Sequence, residues 1–369
     1  MSKCMNKKKC VMIAGGGTGG HIYPAVAIGQ GILSVDPECE IRYVGTRQGL
    51  EQKIMAKENL TLDLIQSGQL NFSGRPVKKI RALFAILFGF FESVSLIRKH
   101  RPVFVLGVGG YASAPFLLAA SLMGISSAVW EPNAQPGMAN RLLSRFVKKA
   151  YLVFAEAKGY LHSKDFKIVG MPLRKEIEQA SLGQKKVTSD KLRLLCFGGS
   201  QGSLFLNQKI SDLLISSPEL QGRLQVVHQT GTADFQNMKN KYQGLDCVEV
   251  HEFIYNMPDY YQKSDVQFCR GGASTIAEAA CFGVIPIVVP LPAADDHQRK
   301  NAEVLVEKSA GFMMLQNTFE LSDFKKTIIQ LMTDLKIRET MMQNLKGLAS
   351  EKAAEAIATD ILKEINQKI

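Results

Sequence analysis

The sequence predicts an α/β protein of two Rossmann-like, doubly wound parallel-sheet domains facing across a cleft, and three observations carry that expectation. Short β-branched apolar runs alternate with helical patterns, as expected when strands are buried on both faces by crossover helices. The alternation occurs in two series, separated by the polar stretch Glu176 to Lys191. Each series opens on an apolar strand, a glycine turn and a helix: Val11-Met-Ile-Ala into Gly15-Gly-Gly-Thr-Gly-Gly20, then Leu194-Leu-Cys-Phe197 into Gly198-Gly-Ser-Gln-Gly202. A chain of 369 residues also exceeds the usual size of one core.

In chain order, the first series of strands reads from Val11, then Glu40 to Val44, Val103 to Leu106, Ser127 to Trp130, Tyr151 to Phe154 and Lys167 to Val169. The second reads Leu192 to Phe197, Leu224 to His228, Val248 to His251, Val266 to Cys269 and Ile285 to Val289. After Leu315 the pattern is helical to the end. Ligands of open parallel sheets bind beyond the carboxyl ends of the strands. The motif-like segments fall there: Gly15 to His21, Gly107 to Pro115, Glu131 to Asn140, Gly198 to Gly202 and Arg270 to Glu278.

Composition narrows the classes. With 46% hydrophobic and 21% charged residues the chain reads as soluble and globular. The lysines before Val11 precede too short an apolar run for a signal segment, and no stretch of eighteen uncharged apolar residues is present to span a bilayer. Seven scattered cysteines without a C-x-x-C pair suggest neither a disulfide framework nor a zinc site, and point to a reducing cytoplasm. The net charge of +11 implies an attraction to polyanions: nucleic acid, anionic lipid or phosphorylated substrates.

The first glycine turn lets backbone N–H groups approach an anion without a Cβ in the way, and the following helix N-terminus favours negative charge. Gly15, Gly17 and Gly20 also satisfy G-x-G-x-x-G, but the acid expected about twenty residues on is missing, since the second strand runs into Gly45-Thr46-Arg47. No Lys-Ser/Thr pair follows the glycines either. No nucleotide cofactor is therefore expected. Glu278, in Arg270-Gly-Gly-Ala-Ser-Thr-Ile-Ala-Glu278, stands about one turn into a helix beginning near Ser274 or Thr275. Either it accepts hydrogen bonds from a ribose diol, or Ser274 caps the helix and Glu278 favours its N-terminal charge. Asp295 and Asp296 are adjacent, with no clear third ligand, so no metal is expected and Gln298 is read as pointing at a ligand from a solvated loop.

Six segments in order carry a resemblance over essentially the whole chain: Gly16-Gly-Thr-Gly-Gly-His21, Gly107-Val-Gly-Gly-Tyr-Ala-Ser-Ala-Pro115, Glu131 to Asn140, Gly170-Met-Pro-Leu-Arg174, Gly198 to Gly202 and Arg270 to Glu278. The chain resembles the cell-wall N-acetylglucosaminyltransferases of glycosyltransferase family 28, which have the GT-B fold. The resemblance implies an acceptor and membrane-docking domain over residues 1–172, a UDP-sugar donor domain over 173–349, and a terminal helix over 350–369 packing back on the first. It implies an inverting transfer of N-acetylglucosamine from UDP to the 4-hydroxyl of the muramoyl sugar of lipid I, giving lipid II, on the cytoplasmic face of the inner membrane. The donor would meet Ile254 at the uracil edge, Glu278 at the ribose, and Ser200 and Arg174 at the diphosphate. Ala273, Ser274, Thr275, Ile276 and Ala277 would line its helix N-terminus. Its sugar would meet Asn133, Ala273 and Gln298, across from Thr18, Gly19 and Gly20. Gly16, Gly17, Gly109, Gly110 and Tyr111 would form loops for the acceptor diphosphate. His21 is the candidate base or acceptor-orienting group, its ordinary pKa being near neutrality; alternatively it fixes the loop. The usual His-Glu-Gln-Asn reads Trp130-Glu131-Pro132-Asn133 here, and Met171 stands where Asn is usual. Asn133 is retained; roles of the replaced His and Gln do not carry over. His297 beside Gln298 leaves that register open by one residue.

Between Arg75 and Arg101 basic residues, including Lys78, Lys79 and Arg81, flank the apolar run Ala82 to Phe91. As a helix, Leu83, Phe84, Leu87, Phe88 and Phe91 share a broad face, while Ile86 and Phe90 make the other side apolar as well. Such a helix is either buried on the sheet or set into an anionic membrane surface. The lipid-linked acceptor favours the membrane, and aliphatic and Phe side chains suit lipid rather than a stacking platform for nucleic acid.

Overall fold

The computed structural model describes residues 8–17, 19–47, 51–68, 76–181, 191–293, 295–350 and 352–367, with side chains of the helix Pro76–His100 described from residue 84. The chain divides into two compact units, Met1–Arg174 with Lys352–Ile369, and Lys175–Glu351. The first division thus falls two residues beyond the boundary at 172 read from the sequence.

The first unit is built on seven strands: β1 Cys10–Ala14, β2 Glu40–Thr46, β3 Leu62–Ile65, β4 Phe104–Gly107, β5 Ser126–Glu131, β6 Lys149–Leu152 and β7 Asp165–Ile168. They pair in the order β3-β2-β1-β4-β5-β6-β7, parallel throughout. Strands β1, β4 and β5 are buried along their whole length, as their near-continuous apolar runs require. The order reverses between β1 and β4, so the loops after these two strands meet at the switch point where open α/β sheets bind ligands. Strand β3 was not expected from the sequence. Its Leu-Asp-Leu-Ile run is short and interrupted by a charge, and Asp63 is accommodated by Arg42 of β2, whose Nε donates to Asp63 Oδ2 at 2.8 Å.

The helix Ala353–Asn366 packs on the helix Gly19–Val35 within this unit. Its buried Ala354, Ile357, Ala358, Ile361 and Ile365 repeat at helical spacing on one face. The approach is close at Gly31, where a Cβ would come within 2.9 Å of the Ala354 carbonyl oxygen. Asp360 ties the helix to the sheet edge by accepting from Lys149 Nζ at 2.6 Å, Tyr151 OH at 2.9 Å and Lys167 Nζ at 3.0 Å. Burial pushes the Asp360 pKa up, but these bonds outweigh it and hold it below the ordinary carboxylate value.

The second unit carries β8 Leu192–Phe197, β9 Leu224–Gln229, β10 Val248–His251, β11 Val266–Cys269, β12 Ile285–Val288 and β13 Phe312–Met313. The order is β10-β9-β8-β11-β12-β13, again parallel, and it reverses between β8 and β11. Its core gathers Leu194, Leu206, Val226, Phe268, Ile287 and Phe324, with the rings of Phe268 and Phe324 stacked at 4.4 Å. Two-residue β13 carries too little pattern to be read from sequence.

The helix Pro76–His100 is apolar on both sides for different reasons. Gly89, Ser93 and Ile97 are buried, and Phe90, Val94 and Leu96 pack against the core of the first unit. On the opposite side Phe84, Leu87, Phe88 and Phe91 are 50–61% exposed. The side chains of Lys78, Lys79, Arg81 and Leu83 lie outside those described. Among the described residues no helix is long and apolar enough to cross a membrane.

Candidate functional site

At the first unit's switch point two glycine loops interlock. A Cβ on Gly110 would collide with the Gly16 carbonyl oxygen, and one on Gly15 with the Val108 side chain. Gly110 also has φ +80°, a left-handed conformation that glycine adopts without strain. Ser113, in the following helix, accepts from Gly109 N at 3.1 Å and lies 2.6 Å from the Ala14 carbonyl oxygen, tying the β4 loop back to β1. His21, in the first turn of the helix Gly19–Val35, lays its ring against Gly109: a Cβ there would stand 2.9 Å from ring Cδ2 and Nε2. The Tyr111 ring faces Gly17, and the Tyr111 carbonyl accepts from Ser67 Oγ at 2.6 Å. Gly19 and Gly20 open the helix, while Thr18 lies outside the described residues.

Glu51, which sequence reasoning passed over, also belongs to this site. It accepts from Thr46 N at 2.7 Å and Thr46 Oγ1 at 2.8 Å on one oxygen, and from Gly17 N at 2.9 Å on the other. The acid expected to follow β2 is therefore present, but it comes later in the chain and turns inward onto the glycine loop. Its signal in the sequence is an acid shortly after the β2 tip; what hides it is the 34-residue separation from its partner Gly17. Arg47, by contrast, pairs with Glu92 at 2.8 Å.

The loop after β5 is organised by another buried carboxylate. Glu131, 1% exposed, accepts from Asn133 N at 2.9 Å, Asn133 Nδ2 at 3.1 Å, Gly137 N at 3.2 Å and Asn140 Nδ2 at 2.9 Å. Burial raises its pKa, and the four donors only partly offset that. Asn133 is thus held by both its backbone and its side chain. Arg174, the last residue of this unit's first segment, holds its guanidinium over the Tyr23 ring, 4.9 Å from the centroid, in a cation–π contact.

At the second unit's switch point lies a cavity of about 860 Å³, lined among others by Gly198, Gly199, Arg270, Gly272, Thr275 and Gln298. Exposed Ser200 follows Gly199 in the same turn. Arg270 is its strut: Nη2 donates to Ser203 Oγ at 2.8 Å, and Nη1 donates to Gln316 Oε1 at 2.9 Å and Val289 O at 3.2 Å. It joins the ends of β8, β11 and β12, and burial lowers its pKa from the ordinary arginine value. The helix Ala273–Phe282 carries all of residues 273–278. Gly272 caps it without any side-chain bond, so Ser274 is not its cap as one reading of the sequence had it: the helix begins one residue before Ser274. Ala273 and Ile276 are buried, and Glu278 Oε2 accepts from Tyr261 OH at 3.1 Å.

Gln298 is not in a loop. It is the second residue of the helix His297–Glu307, and its Oε1 accepts from Gly271 N at 3.1 Å and Leu291 N at 2.9 Å, binding the β11 and β12 loops together. Its neighbour His297 instead stands 3.5 Å from Asp295. Gln229, at the end of β9, performs the same task on the other side: its Nε2 donates to Gly199 O at 3.0 Å and its Oε1 accepts from Ile254 N at 2.8 Å. Ile254 is buried. Among the described residues no group of three His, Cys, Asp or Glu side chains is placed to hold a metal ion.

Residues 11–152 match the family model described as the glycosyltransferase family 28 N-terminal domain, and residues 193–359 the one described as its C-terminal domain. The chain is 50% identical over 359 residues, 97% of its own length and 100% of the relative's, to a UDP-N-acetylglucosamine–N-acetylmuramyl-(pentapeptide) pyrophosphoryl-undecaprenol N-acetylglucosamine transferase of Bdellovibrio bacteriovorus. It is 38% identical to the protein of the same name from Citrifermentans bemidjiense, over 95% of this chain and 98% of the other. The crystal structure of Acinetobacter baumannii MurG is similar with a TM-score of 0.80 at 28% identity, covering 96% of this chain and 99% of that one. A UDP-GlcNAc 2-epimerase from Neisseria meningitidis, at 13% identity and a TM-score of 0.66, shares the fold alone.

Proposed function

This chain belongs to glycosyltransferase family 28, and from that premise we propose how its two units divide a sugar transfer. The protein is a UDP-N-acetylglucosamine-dependent transferase: it moves N-acetylglucosamine onto lipid I, the muramyl-pentapeptide pyrophosphoryl-undecaprenol, making lipid II for peptidoglycan synthesis. The observation that carries this is the 50% identity along the whole of a relative named for that reaction.

The donor belongs to the second unit. In support, the switch-point cavity has the amides of the Gly198–Gly202 turn, the N-terminus of the helix Ala273–Phe282 and the guanidinium of Arg270 around it, and none of its described lining residues is acidic. Such preorganised donors can hold the diphosphate and stabilise departing UDP. Glu278 takes the ribose, Ile254 the uracil edge and Gln298 the sugar. The acceptor belongs to the first unit, at Asn133 and the loops bearing Gly19, Gly20, Gly109, Gly110 and Tyr111, with the His21 ring against Gly109. Inversion at the anomeric carbon needs one in-line attack by the acceptor 4-hydroxyl, and His21 takes the proton or orients that hydroxyl.

The enzyme acts as a peripheral protein on the cytoplasmic face of the inner membrane. The exposed Phe84, Leu87, Phe88 and Phe91 favour this, since burying three such side chains contributes roughly 5 to 9 kcal/mol, and each nearby Lys or Arg adds about 1 kcal/mol on an anionic surface. Vesicle co-sedimentation should fall on raising salt and in Phe88→Glu; a folded Phe88→Glu protein that sediments like the wild type removes the docking surface. The reaction itself is tested by incubating radiolabelled UDP-N-acetylglucosamine with a lipid I analogue. Label should enter the lipid product. Hydrolysis or epimerisation of the donor without lipid labelling would refute the transfer.

A further inference from the structure

The Glu51 carboxylate has no exposed surface, and among the described residues it accepts from Gly17 N, Thr46 N and Thr46 Oγ1. Two other glycines make room for it. A Cβ on Gly16 would stand 2.6 Å from Glu51 Oε1, and one on Gly45 would stand 2.7 Å from Glu51 Cγ. Burial alone would raise its pKa, yet the donors from Gly17 and Thr46 hold it below the ordinary carboxylate value, so it is an anion at neutral pH. In a dinucleotide site a glycine loop of this kind offers its amides to a pyrophosphate and an acid after the second strand grips the ribose. Here the protein's own acid takes the Gly17 amide. The loop so fixed is the one that interlocks through Gly15, Gly16 and Gly110 with the Gly107–Gly110 turn, against which the His21 ring lies.

We propose that Glu51 is a positioning residue of the transfer: an internal carboxylate that fills the glycine loop in place of a bound anion and, through the two interlocked loops, fixes where His21 stands. The lipid diphosphate then draws nothing from Gly17, whose N–H is occupied; the first glycine loop supplies shape to the site, and anion contact is left to the helix N-terminus at Gly19 and Gly20. The inference rests on the assignment of His21 to the reacting hydroxyl.

The test uses the full-length wild type, Glu51→Gln and Glu51→Ala, with label transfer to a lipid I analogue and UDP binding by calorimetry. Glu51→Gln keeps the shape but turns an N–H2 group toward the donors of Gly17 or Thr46. Turnover should fall about tenfold to a hundredfold, the effect expected from unsatisfied buried donors, while UDP affinity stays at the wild-type value. In Glu51→Ala the vacated anion position should be refilled by added formate, restoring turnover; formate should do nothing for Glu51→Gln. Adding Glu51→Gln to His21→Ala should cost little beyond His21→Ala alone, because both changes act on one group. Wild-type turnover in folded Glu51→Gln, an equal loss of UDP affinity, or full additivity with His21→Ala overturns the proposal. If Glu51→Ala does not fold, Glu51→Gln and its double variant decide. A wild-type turnover in His21→Ala would strike the His21 assignment instead.

Discussion

The two switch points solve one problem with opposite charges. In the first unit the loops beyond the strand ends are held by buried carboxylates on backbone amides, Glu51 on Gly17 and Glu131 on Asn133 and Gly137. In the second they are held by carboxamides, Gln229 between Gly199 and Ile254, Gln298 on Gly271 and Leu291, and by the cation Arg270. A carboxylate on a backbone amide does occur in the second unit, as Asp265 with Arg193 N, but at the amino ends of β8 and β11, away from the glycine turns. Both kinds of side chain accept from backbone amides of these loops. They differ in what they do to a ligand. A carboxylate brace adds negative charge beside the loop and occupies its amides; a carboxamide adds no charge. That difference accords with the proposal that the UDP diphosphate sits in the second unit, while the acceptor diphosphate meets the first unit only at the helix N-terminus of Gly19 and Gly20.

The comparison makes acid titration the larger test. Neutral braces do not titrate, but the second unit also buries His228 of β9, beside Gln229, between Asn207 Oδ1 and Tyr242 OH at 3.0 Å each. Burial lowers the His228 pKa to about 4 from 6.5. A folded-state pKa below the unfolded one means that the unfolded chain binds the proton first, so stability is complete above about pH 6.5 and is lost as pH falls toward 4. The loss amounts to about 3 kcal/mol at roughly 1.4 kcal/mol per pH unit. In the first unit Glu51 has a lowered pKa, so its contribution holds above its unfolded value near 4.5 and disappears only below that. Glu131 has the opposite sign: its raised pKa costs stability as pH rises through the interval between its unfolded and folded values. Hydrogen exchange followed from pH 7 to 4 should show protection falling first in β8 and β9, with β1 and β2 falling later. Loss in the reverse order would break the contrast between the units.

Much of the architecture could be read from the sequence, because strands buried on both faces and glycine turns leave local marks. Most strand positions in both series were legible in this way. The strand expected over Tyr151 to Phe154 instead runs Lys149–Leu152; it opens on a lysine whose ammonium is paired with Asp360 from the far end of the chain. The glycine turns beyond the strand ends were legible for the same local reason as the strands. Their braces were not. Glu51, Gln229 and Gln298 each reach at least one partner 25 to 34 residues away in the chain, and the sheet order brings those partners together. Gln298 was read as facing a ligand from a loop, whereas it lines the cavity from a helix and spends its oxygen on two backbone amides.

Gln298 also offers the smaller and sharper test, because Gln298→Glu converts the second unit's brace into the first unit's kind. One carboxylate oxygen can still accept from Gly271 N and Leu291 N, so the loops remain tied. The other places a negative charge on the cavity proposed to take the diphosphate. At a separation of roughly 8 Å and an effective dielectric constant near 20, one pair of unit charges repels by about 2 kcal/mol. UDP affinity should fall roughly tenfold to thirtyfold, while uridine, which has no phosphate, should bind as to the wild type. Gln298→Met removes the brace without adding charge and should weaken UDP and uridine alike. If Gln298→Glu weakens both ligands equally, the brace matters only through geometry, and the charge contrast between the two switch points has no bearing on where the diphosphate lies.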